Sequence, residues 1–149
     1  MKNCKKALAV IMAVVLILGA APLGGFAGLD FTSWFKTEAE AATYNGLEYE
    51  IKDGNVTITG CDESKSGKLT VPSSIGGYPV TEIGEWAFYG CNKLTGVVIP
   101  DSVKKIDDEA FYSCDNLASV ETGNGVTSIG EDAFCYCDKL TNVKLGSAV

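Results

Sequence analysis

The feature that most constrains this chain is a repeat of 23 residues that runs without a gap from Val80 onward. Folded on that period, the sequence aligns Val80, Val103 and Val126; Ile83, Ile106 and Ile129; Ala87, Ala110 and Ala133; and Phe88, Phe111 and Phe134. Cys91, Cys114 and Cys137, then Leu94, Leu117 and Leu140, then Val97, Val120 and Val143 complete seven columns, each filled three times by one residue type. A unit this short has no interior of its own. Its apolar side chains leave water only when the next unit stacks on them, so like residues must form ladders along one axis. The chain is therefore read as a repeat solenoid with a continuous core.

Two periodicities meet within each unit. Ala87, Phe88 and Cys91 fall at i, i+1 and i+4, the inward side of a short helical turn, whereas Val97 and Ile99 alternate as in a strand. The expected class is α+β, with leucine-rich-repeat-type coils that each combine a short strand and a short helical turn. Thr122 is the polar exception in the column of Ile99. Glu85, Asp108 and Glu131 form an acidic column just ahead of the Ala-Phe pair. There a carboxylate would meet the unpaired N–H groups at the start of the turn, worth roughly 0.3–1 kcal/mol each. A Ca²⁺ site in that column would need converging oxygens from a recognisable loop, which the spacing does not supply.

Ahead of the repeats, Tyr44 to Ile58 alternates polar and apolar residues around Asp53-Gly54-Asn55, the pattern of a β-hairpin turning at Asp53-Gly54 and capping the first open end. Leu69, Val71, Pro72 and Ile75 imitate Val97, Ile99, Pro100 and Val103, and Gly76-Gly77-Tyr78-Pro79 then inserts a turn. Residues 42–79 are thus expected to form an N-terminal β cap and a degenerate first coil, and residues 80–149 three regular repeats. Val143-Lys144-Leu145 is followed by no polar closing segment, so the C-terminal coil is expected to be uncapped, with edge-to-edge self-association as one consequence.

Residues 1–41 read as a signal peptide and leader. Lys2, Lys5 and Lys6 precede an apolar run of 15 residues from Ala7 to Ala21, which breaks at Pro22. That run is short of the roughly 20 residues that span a bilayer, so the membrane enters only through secretion. Cleavage is placed near 41, after Ala39-Glu40-Ala41, or near 27, after Gly25-Phe26-Ala27. The expected location is secreted or cell surface. Cys4 precedes the apolar run and so cannot become the lipid-modified first residue of a mature lipoprotein.

Composition removes whole function classes. From Ala42 onward eight lysines face sixteen carboxylates, a net charge of −8 that repels nucleic acid and anionic lipid. The sequence contains neither His nor Arg, and so lacks the usual general base, the commonest metal ligand and the bidentate phosphate clamp. A cysteine nucleophile would have no imidazole to activate it. Cys91, Cys114 and Cys137 share one inward column and run parallel, which favours free buried thiols, while Cys61 and Cys135 lie off the column. Cys135-Tyr136-Cys137 lacks a second pair with zinc spacing. No catalytic, cofactor-binding or metal-binding residues are assigned. Paired carboxylates of a hydrolase are the one enzymatic alternative, although helix starts, turns and solubility account for the acids.

What remains is surface. Trp86, Tyr89, Tyr112 and Tyr136 fall outside the inward columns, beside the expected helical turns, and exposed aromatic side chains are the kind that anchor interfaces. The outward strand column holds Val98, Glu121 and Lys144, beside Gly96, Ser119 and Asn142, a mixed set without a designed pocket. These seven residues, four aromatic and three on the strands, form the candidate interaction surface.

Laid out in this way, the chain resembles the BspA-like leucine-rich repeat family, whose units read Leu-x-x-Val-x-Ile-Pro-x-x-Val-x-x-Ile-Gly-x-x-Ala-Phe-x-x-Cys. Here that pattern is Leu94 to Pro100, then Val103, Ile106, Ala110, Phe111 and Cys114, and the likeness extends over about Tyr44 to Leu145. Asp107 stands where the pattern has Gly, and Glu121-Thr122-Gly123 replaces its apolar-Pro strand end. The resemblance implies a secreted or cell-surface protein of bacteria or some protists, used for adhesion and protein interaction and often modular. It implies no catalytic residues and no cofactor. The implied partner is an extracellular protein or glycan, with a structural N-terminal segment of a larger surface protein or enzyme as the alternative role.

Overall fold

The computed structural model describes residues 42–149, so the leader expected over residues 1–41 and its cleavage near 41 or 27 lie outside the described residues. Strand β1 (Ala42–Tyr44) pairs antiparallel with β2 (Leu47–Lys52), and β2 with β3 (Asn55–Cys61). The β2–β3 turn falls on Asp53-Gly54, with φ of 52° and 76°, the left-handed pair that a two-residue hairpin requires. Leu47, Val56 and Ile58 point inward and are fully buried, which fixes the register.

The chain then coils. Strands β4 (Gly67–Thr70), β7 (Leu94–Ile99), β9 (Ser119–Thr122) and β11 (Asn142–Lys144) form one parallel four-stranded sheet in that spatial order. A second sheet is made by β6 (Tyr78–Ile83), β8 (Lys105–Ile106) and β10 (Ser128–Ile129), also parallel, with β5 (Ser74–Ile75) folding back on β6. Strand β3 joins β6 in parallel, so the hairpin extends this sheet.

Register turns the sequence columns into physical ladders. Ile58, Ile83, Ile106 and Ile129 are Cα partners across one sheet, and Leu69, Val97, Val120 and Val143 across the other. Between the sheets stack Phe88, Phe111 and Phe134, with centroids 4.6 and 5.1 Å apart and rings within 7° of parallel. Phe88 and Phe111 are fully buried, and Phe134 is partly so. Thr122 keeps its inward place in the Ile99 column, and its Oγ1 accepts the Gly146 backbone N–H at 2.9 Å.

The expected helical turns are not there. Among the described residues there is no helix, and the α+β assignment gives way to a β-solenoid whose strands are linked by turns. Two physical causes are visible. Trp86, Glu109 and Asp132 occupy one column at φ of 60°, 52° and 52°, and Gly90, Ser113 and Tyr136 a second at 67°, 55° and 56°. A left-handed residue at each end of a five-residue segment forbids a right-handed helix through it. The backbone donors are also divided: Tyr89 and Cys91 N–H bond three residues back, while Phe88 and Gly90 N–H reach Ala110 and Tyr112 carbonyls of the next coil. An α-helix would keep all of these bonds inside the segment.

The acidic column is corrected for the same reason. With no helix there is no macrodipole for Glu85, Asp108 and Glu131 to meet; instead Asp108 Oδ1 accepts the Glu131 N–H of the following coil at 2.8 Å. The same device recurs where Asp101 Oδ1 accepts from Asn124 N–H at 2.7 Å and Asn124 Oδ1 from Ser147 N–H at 3.2 Å. These side chains tie coil to coil.

Two stability outcomes follow, both measurable by urea titration. Phe111 has a ring on each side and should lose about 3–5 kcal/mol on replacement by Ala, clearly more than Phe134→Ala. Equal losses would contradict the stacked core. Gly125 packs so close to the Asp101 carbonyl oxygen that an added Cβ would collide with it, so Gly125→Ala should cost about 1–3 kcal/mol.

Candidate functional site

The four aromatic side chains singled out by the repeat come together. Trp86 lies 5.1 Å from Tyr89 and 6.0 Å from Tyr112, centroid to centroid; Tyr89 stacks on Tyr112 at 5.9 Å, and Tyr136 meets Tyr112 edge-on at 5.0 Å. Trp86, Tyr89 and Tyr136 are 45%, 49% and 59% exposed, with Tyr112 half-buried at their centre. The result is one contiguous aromatic shelf crossing three coils.

The turn geometry assembles it. Tyr89 and Tyr112 belong to one column, and the third member of that column is Cys135. Tyr136 sits one residue later, in the left-handed column of Gly90, and from there its ring reaches back edge-on to Tyr112. Trp86 enters from the other left-handed column. Sequence reasoning found the four rings but could not show that residues from three columns share one face. The only local hint was Gly90, a residue type suited to positive φ.

Carboxylates line the same turns. The indole Nε1–H of Trp86 donates to Glu85 Oε1 at 2.7 Å, and Glu109 lies close enough to Tyr112 to raise its hydroxyl pKa, behind desolvation and the neighbouring Tyr136 and Cys135. The Glu109 carboxyl is itself held above the ordinary carboxylate range, by desolvation first and then by the charges of Asp132, Glu85, Asp108 and Glu131.

The second candidate face is of another kind. Val98, Glu121 and Lys144 are neighbours in register on the four-stranded sheet. Lys144 Nζ donates to Glu121 Oε1 at 2.7 Å, which lowers the carboxyl pKa and raises that of the ammonium group. Lys68, Ser119 and Asn142 complete a shallow depression here, whose two central charges already satisfy each other. Exposed pairs of this sort are screened by solvent and add little to stability.

The cysteines form a third group. Cys61, Cys91, Cys114, Cys135 and Cys137 are free thiols. In the ladder, Cys114 Sγ–H donates to the Phe88 carbonyl at 3.0 Å and Cys137 Sγ–H to that of Phe111 at 3.2 Å. Cys61, outside the column, comes within hydrogen-bonding reach of the Cys91 thiol, a contact no spacing could have signalled. The neighbouring Cys137 thiol, and then burial, push the Cys114 thiol far above the usual thiol range. Among the described residues no group of three or more His, Cys, Asp or Glu is arranged to hold a metal ion.

Known proteins match this architecture. The family model described as the BspA type leucine rich repeat region (6 copies) covers residues 62–149. A leucine-rich repeat protein from Bacteroides capillosus is 37% identical with a TM-score of 0.68, over 72% of this chain and 83% of that one. A leucine-rich cell surface protein from Faecalibacterium prausnitzii is 34% identical with a TM-score of 0.58, over 68% of this chain and 29% of that one. A leucine-rich repeat protein from Bacteroides ovatus is 27% identical with a TM-score of 0.65, over 72% and 30%. This chain therefore spans less than a third of the latter two proteins. No curated protein matches it significantly.

The thiol ladder makes a labelling outcome specific. In a short pulse of iodoacetamide followed by peptide mass spectrometry, partly exposed Cys135 should react first and fully buried Cys114 only after unfolding. Equal rates would contradict the buried hydrogen-bonded thiol. With its 23-residue coils, its two ladders of strands and the family match over residues 62–149, the chain belongs to the BspA-type leucine-rich repeat family.

Proposed function

We propose that this protein is a non-catalytic interaction module of a bacterial secreted or cell-surface protein, and that it binds a protein partner through the aromatic shelf. The observation that carries the reading is the shelf itself. Nearly every other apolar side chain in the regular coils lies in an inward ladder, whereas Trp86, Tyr89 and Tyr136 stay in water, in mutual contact through Tyr112. Clustered exposed aromatics of this kind supply most of the energy at protein interfaces. The signal-like leader and the description of the Faecalibacterium prausnitzii relative as a cell surface protein support the location. The lack of His and Arg supports a non-catalytic role. The acids of the turns are engaged in tying coils together or lie beside the rings, which leaves a hydrolase with no dedicated pair.

The test is binding of the purified protein to panels of immobilised extracellular proteins and glycans, with a scrambled-sequence control. Trp86→Asn, which keeps a residue suited to positive φ, and Tyr89→Ala should each weaken the best interaction about tenfold or more without lowering the unfolding midpoint. Lys144→Ala, on the strand face, should leave it unchanged. No binding above control, or equal loss with Lys144→Ala, would sink the reading. A second role, as a segment of a larger modular protein, is favoured by the length of the two relatives of which this chain spans 29% and 30%. The coding sequence downstream of Val149 decides it.

A further inference from the structure

We propose that the aromatic shelf is built for a cationic protein segment, and for arginine in particular. This rests on the shelf being the binding surface. The columns that carry the rings are flanked by the columns 85, 108, 131 and 109, 132, and every residue at those five positions is a carboxylate. Lys105 pairs with Glu82 and Asp107, and Lys144 with Glu121, but none of Glu85, Asp108, Glu109, Glu131 and Asp132 forms an ion pair with a lysine among the described residues. Among the described residues the charges flanking the shelf are thus of one sign and unpaired with lysine.

A ligand that satisfies both features must present positive charge and a surface that lies flat on tyrosine and tryptophan. Guanidinium groups do both: the planar cation stacks on a ring face while its N–H fork reaches a neighbouring carboxylate. Trp86 and Tyr89, each nearly half exposed, supply ring surface of this kind, with Glu85 bonded to the Trp86 indole and Glu109 beside Tyr112. A second copy of this chain cannot be the occupant by this chemistry, because the sequence holds no arginine. A neutral glycan would use the rings but would leave the negative charge around them unanswered.

The whole chain would be titrated by calorimetry with a short alternating Arg-Gly peptide, its Lys-Gly and Glu-Gly counterparts, and a neutral oligosaccharide. The Arg peptide should bind best, the Lys peptide more weakly and the Glu peptide not at all. Raising salt from about 0.05 M to about 0.5 M should weaken binding at least about tenfold. Glu109→Gln and Trp86→Asn should each weaken it several-fold, whereas Glu50→Gln, an equal change in net charge on the N-terminal hairpin, should not. Equal loss with Glu50→Gln would reduce the effect to overall charge and overturn the proposal. So would Trp86-dependent binding of the oligosaccharide or of a panel protein that ignores salt, although the shelf would then stand as a binding surface. If none of these ligands nor any panel protein depends on Trp86, both ideas fall.

Discussion

The structure depends on one constraint: a backbone donor in the turn of one coil must find its acceptor in the next. Phe88, Gly90, Glu109, Phe111 and Ser113 all donate across the coil boundary, and the strands do the same through their parallel pairing. Because both halves of each coil hydrogen-bond along the axis, every coil must have nearly the same path as its neighbour. The ladders follow from that. Identical residues face one another because identical backbone positions do, and Phe88 over Phe111 over Phe134 is the largest of the contacts so produced. Burial then supplies the free energy, and the axial bonds set where it is gained.

Much of this was legible in the sequence, and the limits of that legibility are physical. Period and alternation are local signals, so the ladders, the strand at Val97 and Ile99 and the hairpin turn at Asp53-Gly54 could be read directly. The helical turn could not be excluded in this way. Ala87, Phe88 and Cys91 have helical spacing, yet the backbone on either side is left-handed at Trp86 and Gly90, and a tryptophan, a glutamate and an aspartate do not announce positive φ. The second sheet escaped because β8 and β10 are two residues long, too short to show any alternation. Likewise the role of Thr122 needed the position of the Gly146 N–H, and the meeting of Cys61 with Cys91 needed the path of the chain before β4.

The two outer faces are chemically unlike. On the four-stranded sheet, opposite charges are interleaved and neutralise locally, as Lys144 and Glu121 do. On the turns the carboxylates face one another, and the Glu109 carboxyl is held above the ordinary range by desolvation and then by the charges of its acidic neighbours. Like charges at repeat spacing destabilise the coil that carries them, a cost that the Asp108 hydrogen bond to the next coil offsets in part.

The left-handed columns separate what the coil displays from what it buries. A residue at positive φ points its side chain out of the path followed by its neighbours, so Trp86, Glu109 and Asp132 share a backbone shape while differing completely in chemistry. The core constrains the alanine that follows but not this residue. Each coil therefore contributes one freely chosen side chain to a row of fixed pitch, and a chain with more coils would carry a longer row of the same kind. In that sense the turn works as a display rail, in which length is set by the number of repeats and content by a column that the fold leaves open.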